Sequence, residues 1–332
     1  MDTNVKLTSA ELANIWGAYQ NASITSKVLL YFQHIVEDKE IEAIVQEACS
    51  LQESHLQSLM KLFQAENLPI PIGFTNKDVN TDAPRLYTDS FLLQYTVQMG
   101  MLGMSSFTQA INSVTRKDIY QFFMEGFQNY NALHQNALSV ALAKGIQSKA
   151  PTIPEPNKVD FVKKQSFLNG WLGERRPLTA LEIANLFSNI SHNNLGIATL
   201  TGFRQVSKNK QVTDYITRGI NIAKKHADIF STFLKKGDVP APAGSESLVT
   251  DVNSVAPFSD KLMMTHVTAM ITIGITFYGI SISTNIRRDL AAAYARLSAE
   301  IGLYSEDGAN ILIDNEWLEE PPKMVDRGDL AK

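Results

Sequence analysis

The sequence predicts an all-α protein made of two tandem four-helix bundles. Three observations carry this expectation: the chain repeats itself at a fixed offset, apolar residues recur at helical spacing in both copies, and matching capping signals open each copy. LTSAELAN begins at Leu7 and LTALEIAN at Leu178, an offset of 171 residues. At that offset Leu29 meets Leu200, Phe32 meets Phe203, His55 meets His226, Gly73 meets Gly244, Gly103 meets Gly274, Arg116 meets Arg287 and Pro151 meets Pro322. Chance composition does not keep one register across so many positions, and internal repetition decides the fold before any local reading.

In the first copy, Leu12, Ile15, Trp16, Tyr19, Ser23, Ser26 and Leu30 follow 3–4 spacing. Ile183, Leu186, Phe187, Ile190, Asn194, Ile197 and Thr201 follow it in the second, as one face of a helix requires. Thr8 and Thr179 stand three residues before Glu11 and Glu182, the pattern of a capping box. Ile41, Val45, Ala48, Gln52, His55, Leu59 and Leu62 mark a second helix, mirrored by Val212, Ile216, Gly219, Ala223, His226, Phe230 and Phe233. Asp89 and Asp260 are placed to cap the third helices. Asp118 and Asp289 fall in the first turn of the fourth, where a carboxylate favours the positive end of the helix dipole. Helices are therefore expected at about 8–36, 39–66, 88–115 and 117–147, and again at 179–207, 210–236, 259–286 and 288–316.

Short joins make the first pair and the second pair of helices in each copy hairpins. The joins at 67–87 and 238–258 are long and rich in Pro, Asn and Asp, too long for tight turns. A bundle with one long crossover between its second and third helices has the ferritin-like topology. The domain expectation is a first ferritin-like bundle over 7–150, a linker with a packed aromatic segment over 151–177, a second bundle over 178–322 and a polar tail over 323–332. In the linker a proline-rich spacer, KAPTIPEPNK, precedes Phe161, Phe167 and Trp171, which are expected to pack across a bundle surface.

The third helices carry no charge over residues 90–115 and 262–286. Length alone would allow a membrane span, but Gln94, Gln98, Gln109, Asn112 and His266 are costly in lipid. The expectation is no membrane insertion and a helix buried on more than one side. Gly100, Gly103, Gly274 and Gly279 would let it approach a second surface, giving pseudo-symmetric packing of the two halves through helix 3 or a homo-oligomer.

Composition narrows the function classes. With 30 Lys and Arg against 34 Asp and Glu, the net charge is −4, so the cationic surplus that nucleic-acid binding draws on is missing. Cys49 is the one cysteine of the chain. It cannot form an intrachain disulfide and fits a reducing, cytoplasmic setting. No glycine-rich phosphate loop follows a strand, and no nucleophile–base pair stands out.

A bundle of this topology often holds two metal ions through a Glu from each of two helices and Glu-x-x-His from each of the others. Here the spacing is occupied by Gln52-x-x-His55, Asn131-x-x-His134 and Ala223-x-x-His226, with Ser305 at the position of His134. The carboxylates that a paired-iron centre needs are replaced by amides and apolar residues. A complete di-iron set is not expected, and an enzyme is disfavoured. The candidate metal ligands are His55, His134, His226 and His266, for a single zinc, iron or copper ion. Against that stands the plainer reading of core histidines hydrogen-bonded to neighbours. His55 and His134 could meet near Tyr95 and Gln98.

LTSAELANIW, its LTALEIAN echo and above all VDFVKKQSFLNGWLGERRPLT resemble an uncharacterised family common in spore-forming bacteria. Its members look like tandem ferritin-like bundles and are sometimes labelled spore-coat-related. The resemblance implies the fold and a cytoplasmic or spore-associated setting. It implies no activity.

Overall fold

The computed structural model describes residues 5–171, 175–244, 246–251, 255–325 and 327. Eight long helices account for the core: α1 Ser9–Ile35, α2 Lys39–Ala65, α3 Asp89–Ile111, α4 Lys117–Ala143, α5 Ala180–Val206, α6 Lys210–Lys235, α7 Asp260–Thr284 and α8 Arg288–Asp314. α1–α4 form one four-helix bundle and α5–α8 another, each with a long crossover between its second and third helices. Among the described residues there is no strand, only two isolated bridges.

The helix ends show why these segments fold as they do. Thr8 and Thr179 each accept a hydrogen bond from the N–H of the glutamate three residues on, and that glutamate answers to the cap N–H, which satisfies donors a helix start would leave orphaned. Left-handed residues end four helices in matching pairs: Asn67 with Asp238, and Gly145 with Glu316. In each, the next N–H reaches back to the last turn, as Leu68 does to Phe63 and Trp317 to Leu312. Asp89 does not cap α3. It is the first helical residue, and its carboxylate instead accepts the N–H groups of Glu37 and Asp38 in the turn between α1 and α2.

The two crossovers pair with each other. Asn80 donates to the Pro257 carbonyl and Ser259 to that of Asp78, while Thr250 donates to Leu86 and Thr88 to Leu248. These four bonds obey a pseudo-twofold axis: exchanging the halves turns Val79–Phe258 into Val249–Tyr87, the other bridge. The exchange works only if the offset is 170 at Val79 and 171 at Tyr87. The constant offset of 171 is therefore corrected inside the crossover, where one residue is dropped before the 3-10 turns at Asn76–Asp78 and Glu246–Leu248 and regained after them. Loops absorb such changes because few packed side chains depend on their length.

On the same axis Tyr95 of α3 stacks on its counterpart His266 of α7, with ring centroids 5.7 Å apart at 20°. Phe32 stands edge-on to Tyr95 at 5.1 Å, and its counterpart Phe203 edge-on to His266 at 5.8 Å. Off the axis the halves exchange volume. Tyr31 packs on Phe258, whereas at the equivalent place Gly202 makes room for Tyr87, whose hydroxyl donates to the Thr199 carbonyl. A side chain on Gly202 would meet that hydroxyl at 2.5 Å.

The glycines of the third helices serve another purpose than the one expected. A Cβ on Gly100 would sit 2.8 Å from His134 and one on Gly103 would enter the Tyr130 ring, so both admit α4 of the same bundle. Gly279 faces open space. α7 is long and apolar enough to cross a membrane by length and composition, but under a third of that stretch is buried. His266, Tyr278 and Ser281 face the interior, while Ile275, Gly279 and Ile280 are exposed, so the helix is not, as expected, buried on more than one side.

Between the bundles, Phe167 lies under the Arg176 guanidinium at 4.2 Å, and Arg176 pairs with buried Glu182 at 2.7 Å. Gly170 packs against the Asp289 carboxylate. Phe161 and Trp171, expected to pack, are instead exposed, at 87% and 61%. For Phe161 the reason is local: residues 151–164 form no helix that could turn an apolar face inward. Leu172, Gly173 and Glu174 of the linker motif lie outside the described residues.

Candidate functional site

The histidines singled out in the sequence occupy four different environments. His55 on α2 is buried, and neither ring nitrogen has a hydrogen-bond partner. Phe107 stacks on it at 5.3 Å, and Phe122 and Tyr130 stand edge-on at 5.8 and 5.2 Å. Burial lowers its pKa to about 4, because an imidazolium has no polar partner in this shell. Gln52, one turn earlier, donates its amide to the Tyr130 hydroxyl at 3.1 Å.

His134 on α4 is half-buried and bonds through Nδ1 to the Val97 carbonyl at 3.0 Å. Asn131, at the start of its spacing motif, is exposed. The neighbours expected to join His55 and His134 are engaged elsewhere. Tyr95 stacks on His266, and Gln98 donates to Nδ1 of His192 at 2.7 Å. His192 therefore belongs to the junction of the halves. Burial drops its pKa to about 4 against a raising hydrogen bond to the Met270 backbone. His266 is likewise lowered to about 4 by burial.

His226 sits in a polar chain that sequence reading did not find. Asn189 donates to Ser281 at 2.9 Å and Asn193 donates to the Tyr278 hydroxyl at 2.9 Å. That hydroxyl meets Nδ1 of His226 at 3.0 Å, and Nε2 of His226 faces Glu300 at 3.2 Å. Lys225 holds both Glu300 oxygens at 2.7 and 2.8 Å. Burial lowers the His226 pKa, opposed by Glu300. Glu300 is in phase with Leu297, Ile301 and Tyr304 on α8, a signal that could have exposed it.

A paired-ion centre does not fit these donors. Among the described residues no three His, Cys, Asp or Glu side chains come together. Gln52 is spent on Tyr130, and Glu300 is already neutralised by an ammonium. Hard cations need several anionic oxygens at one point. The two buried glutamates of the repeat, Glu11 and Glu182, work at the bundle ends. Glu11 accepts the N–H groups of Thr8, Thr115 and Arg116 and two threonine hydroxyls. Burial alone would raise its pKa, yet these donors hold it at about 2.

Open surface depressions lie elsewhere. One beside stacked Tyr215 and Tyr304 is lined by Asp214, Arg218, Asp307 and Asp314. A larger cleft of about 690 Å³ runs along the first crossover between Lys27, Ile72, Gly73, Lys77 and Lys261.

The fold and interiors together define a tandem-duplicated helical-bundle protein whose two halves are locked as one body. The family model described as "Protein of unknown function (DUF3231)" matches residues 1–159 and again 166–330, so the chain belongs to that family and carries it twice. A solved structure named as a putative spore coat protein, from Bacillus halodurans C-125, is similar at 18% identity. That match covers 46% of this chain and 98% of the other, with a TM-score of 0.42. No curated protein matches.

Proposed function

We propose that the protein is a non-catalytic structural or interaction protein on a degenerate ferritin-like scaffold, working in a cytoplasmic or spore-associated setting. The observation that supports this is the filling of the bundle interiors. Where a metal-carrying bundle would converge carboxylates, Gln52, Tyr130, His55 and Phe107 close the first interior, and the Asn189–Ser281 and Asn193–Tyr278–His226–Glu300 contacts close the second. A polar group already paired inside a protein resists giving up its partner, since each broken buried bond costs ~1–3 kcal/mol. The interiors thus favour stability and leave the outer faces for recognition. Fold likeness to ferritins supplies no activity by itself.

A second reading keeps one ion or small molecule at His55, because both of its ring nitrogens are buried without partners. Elemental analysis of purified protein separates the two. The interaction reading expects no stoichiometric transition metal in the wild type, and none in His55→Ala or His134→Ala. Stoichiometric metal that disappears in those variants would overturn it.

A further inference from the structure

Glu319, just beyond α8 in the second half, is bound by the first half as a ligand would be. One carboxylate oxygen accepts the N–H of Ile72 at 2.9 Å. The other accepts the N–H of Gly73 at 3.1 Å and the side-chain amide of Gln20 at 2.7 Å. Two successive backbone N–H groups aimed at one anion form a nest, and here it is rigidly built. Gly73 has φ +59°, and a Cβ there would meet Ser23 Oγ at 2.6 Å. That same hydroxyl receives the N–H of Phe74 at 3.3 Å. Lys261 donates to the Gly73 carbonyl at 3.1 Å and lies over the Phe74 ring. Burial pushes the Glu319 pKa up, but the Gly73, Gln20 and Ile72 donors and the Lys261 charge bring it below the ordinary carboxylate value.

The 690 Å³ cleft begins at the same Ile72 and Gly73 and carries Lys27, Lys77 and Lys261 onward. Its one acid, Asp78, is engaged by the Thr75 N–H and the Ser259 hydroxyl. Lys27 donates to Asn76, not to a carboxylate. The sequence does not repeat this set of side chains at the pseudo-symmetric place, for Ser191, Ala198 and Ser90 hold the positions equivalent to Gln20, Lys27 and Lys261. The strap that fills the notch is held by Glu319 and by Trp317, which packs against the core. Glu316 turns it through a left-handed residue, and Leu318, Glu320, Met324 and Val325 are exposed.

We propose that this notch and its lysine-lined cleft form a binding site for an acidic peptide segment of a partner protein, held shut in the free chain by Glu319. The notch takes one carboxylate, and the cleft beyond it accepts the further carboxylates that Glu319 alone does not supply. Tethering gives the strap an effective concentration of order millimolar, so a partner with several carboxylates displaces it and one with a single carboxylate does not. This deepens the interaction reading by naming the partner's chemistry.

The test titrates full-length wild type, Glu319→Gln and Glu319→Ala with an acetylated, amidated peptide Trp-Leu-Glu-Glu-Pro-Glu-Glu, by calorimetry at low salt. Circular dichroism first confirms unchanged helix content in the variants, and the isosteric Glu319→Gln serves if the alanine variant is damaged. The Glu319 variants are expected to bind the peptide at least about tenfold more tightly than wild type, the weight of one hydrogen bond to a charged group. Lys261→Ala in the Glu319→Gln background, or glutamine for every glutamate in the peptide, is expected to abolish that gain. No binding to the variants, equal binding of the glutamine peptide, or inorganic phosphate competing at equal concentration would each overturn the proposal. Elemental analysis tests the bundle interiors and the titration tests the notch, so either reading can fail without the other.

Discussion

Replacing Glu11 by Gln probes how each bundle end is tied together. The carboxylate is fully buried and gathers three backbone N–H groups and two hydroxyls from the start of α1 and the turn between α3 and α4. An amide keeps one acceptor oxygen and turns a donor on the other set. If the nitrogen faces Thr8, one backbone N–H loses its acceptor; if it faces Thr115 and Arg116, two do. One unsatisfied buried donor costs ~1–3 kcal/mol, and the remaining bonds lose the strengthening that charge gives, so the expected loss at pH 7 is about 2–4 kcal/mol. The pH dependence follows from the depressed pKa of about 2. The unfolded carboxylate titrates at about 4.3, so the stabilisation is complete above that pH and disappears as pH falls through about 2. Urea unfolding of wild type and Glu11→Gln, followed by circular dichroism from pH 7 to pH 2, should show a gap that closes on acidification. A gap under ~0.5 kcal/mol at pH 7, within the ordinary range of surface substitutions, or one that widens in acid would refute this account.

Further outcomes follow from other sites. His55→Phe replaces two unpartnered nitrogens with ring carbon inside an aromatic shell, and is expected to raise stability at pH 7 by about 1–2 kcal/mol in the same urea assay. Because His55 titrates at about 4 when folded and near 6.5 when unfolded, the unfolded chain binds the extra proton first. Wild-type stability should therefore fall as pH drops from about 6.5 to 4, and His55→Phe should flatten part of that fall. Gly103→Ala drives a methyl into the Tyr130 ring and should cost about 1–3 kcal/mol by overpacking. Gly302→Ala, with nothing within 4 Å of the new methyl, should stabilise α8 by about 0.5–1 kcal/mol in thermal melts.

The helix starts were legible almost to the residue because their signals are local. The capping threonines and 3–4 spacing place α1 at 8–36 against an observed Ser9–Ile35, and α5 at 179–207 against Ala180–Val206. α3 ends at Ile111 and not at 115, because Thr115 and Arg116 turn their N–H groups to Glu11 across the bundle. No local pattern announces that contact. The duplication was legible as well, but the single-residue shift in the crossovers was not, since its logic lies in the pairing of Val79 with Phe258. His55, His226 and His266 lie inward as their helical phase implies, whereas His134, on the same phase of its helix, is half-buried. Their partners were not foreseeable. Helical phase says which side a residue faces, and not which neighbour at the same height has a free donor, as Gln98 does for His192 and Tyr278 for His226. Phe161 and Trp171 show why apolar character does not by itself locate a residue in the core: buried residues are mostly apolar, but many apolar residues stay exposed.

The central claim is that two copies of one bundle are locked as a single body through their paired crossovers. Amide hydrogen exchange in the native protein reads that lock directly at Asn80, Thr88, Thr250 and Ser259, which donate across the pseudo-twofold axis. These four amides should be slowed together, at least about a hundredfold beyond an open loop, the retardation that a few kcal/mol of opening energy produces. Exchange at the unprotected rate, or protection on one crossover without the other, would contradict it.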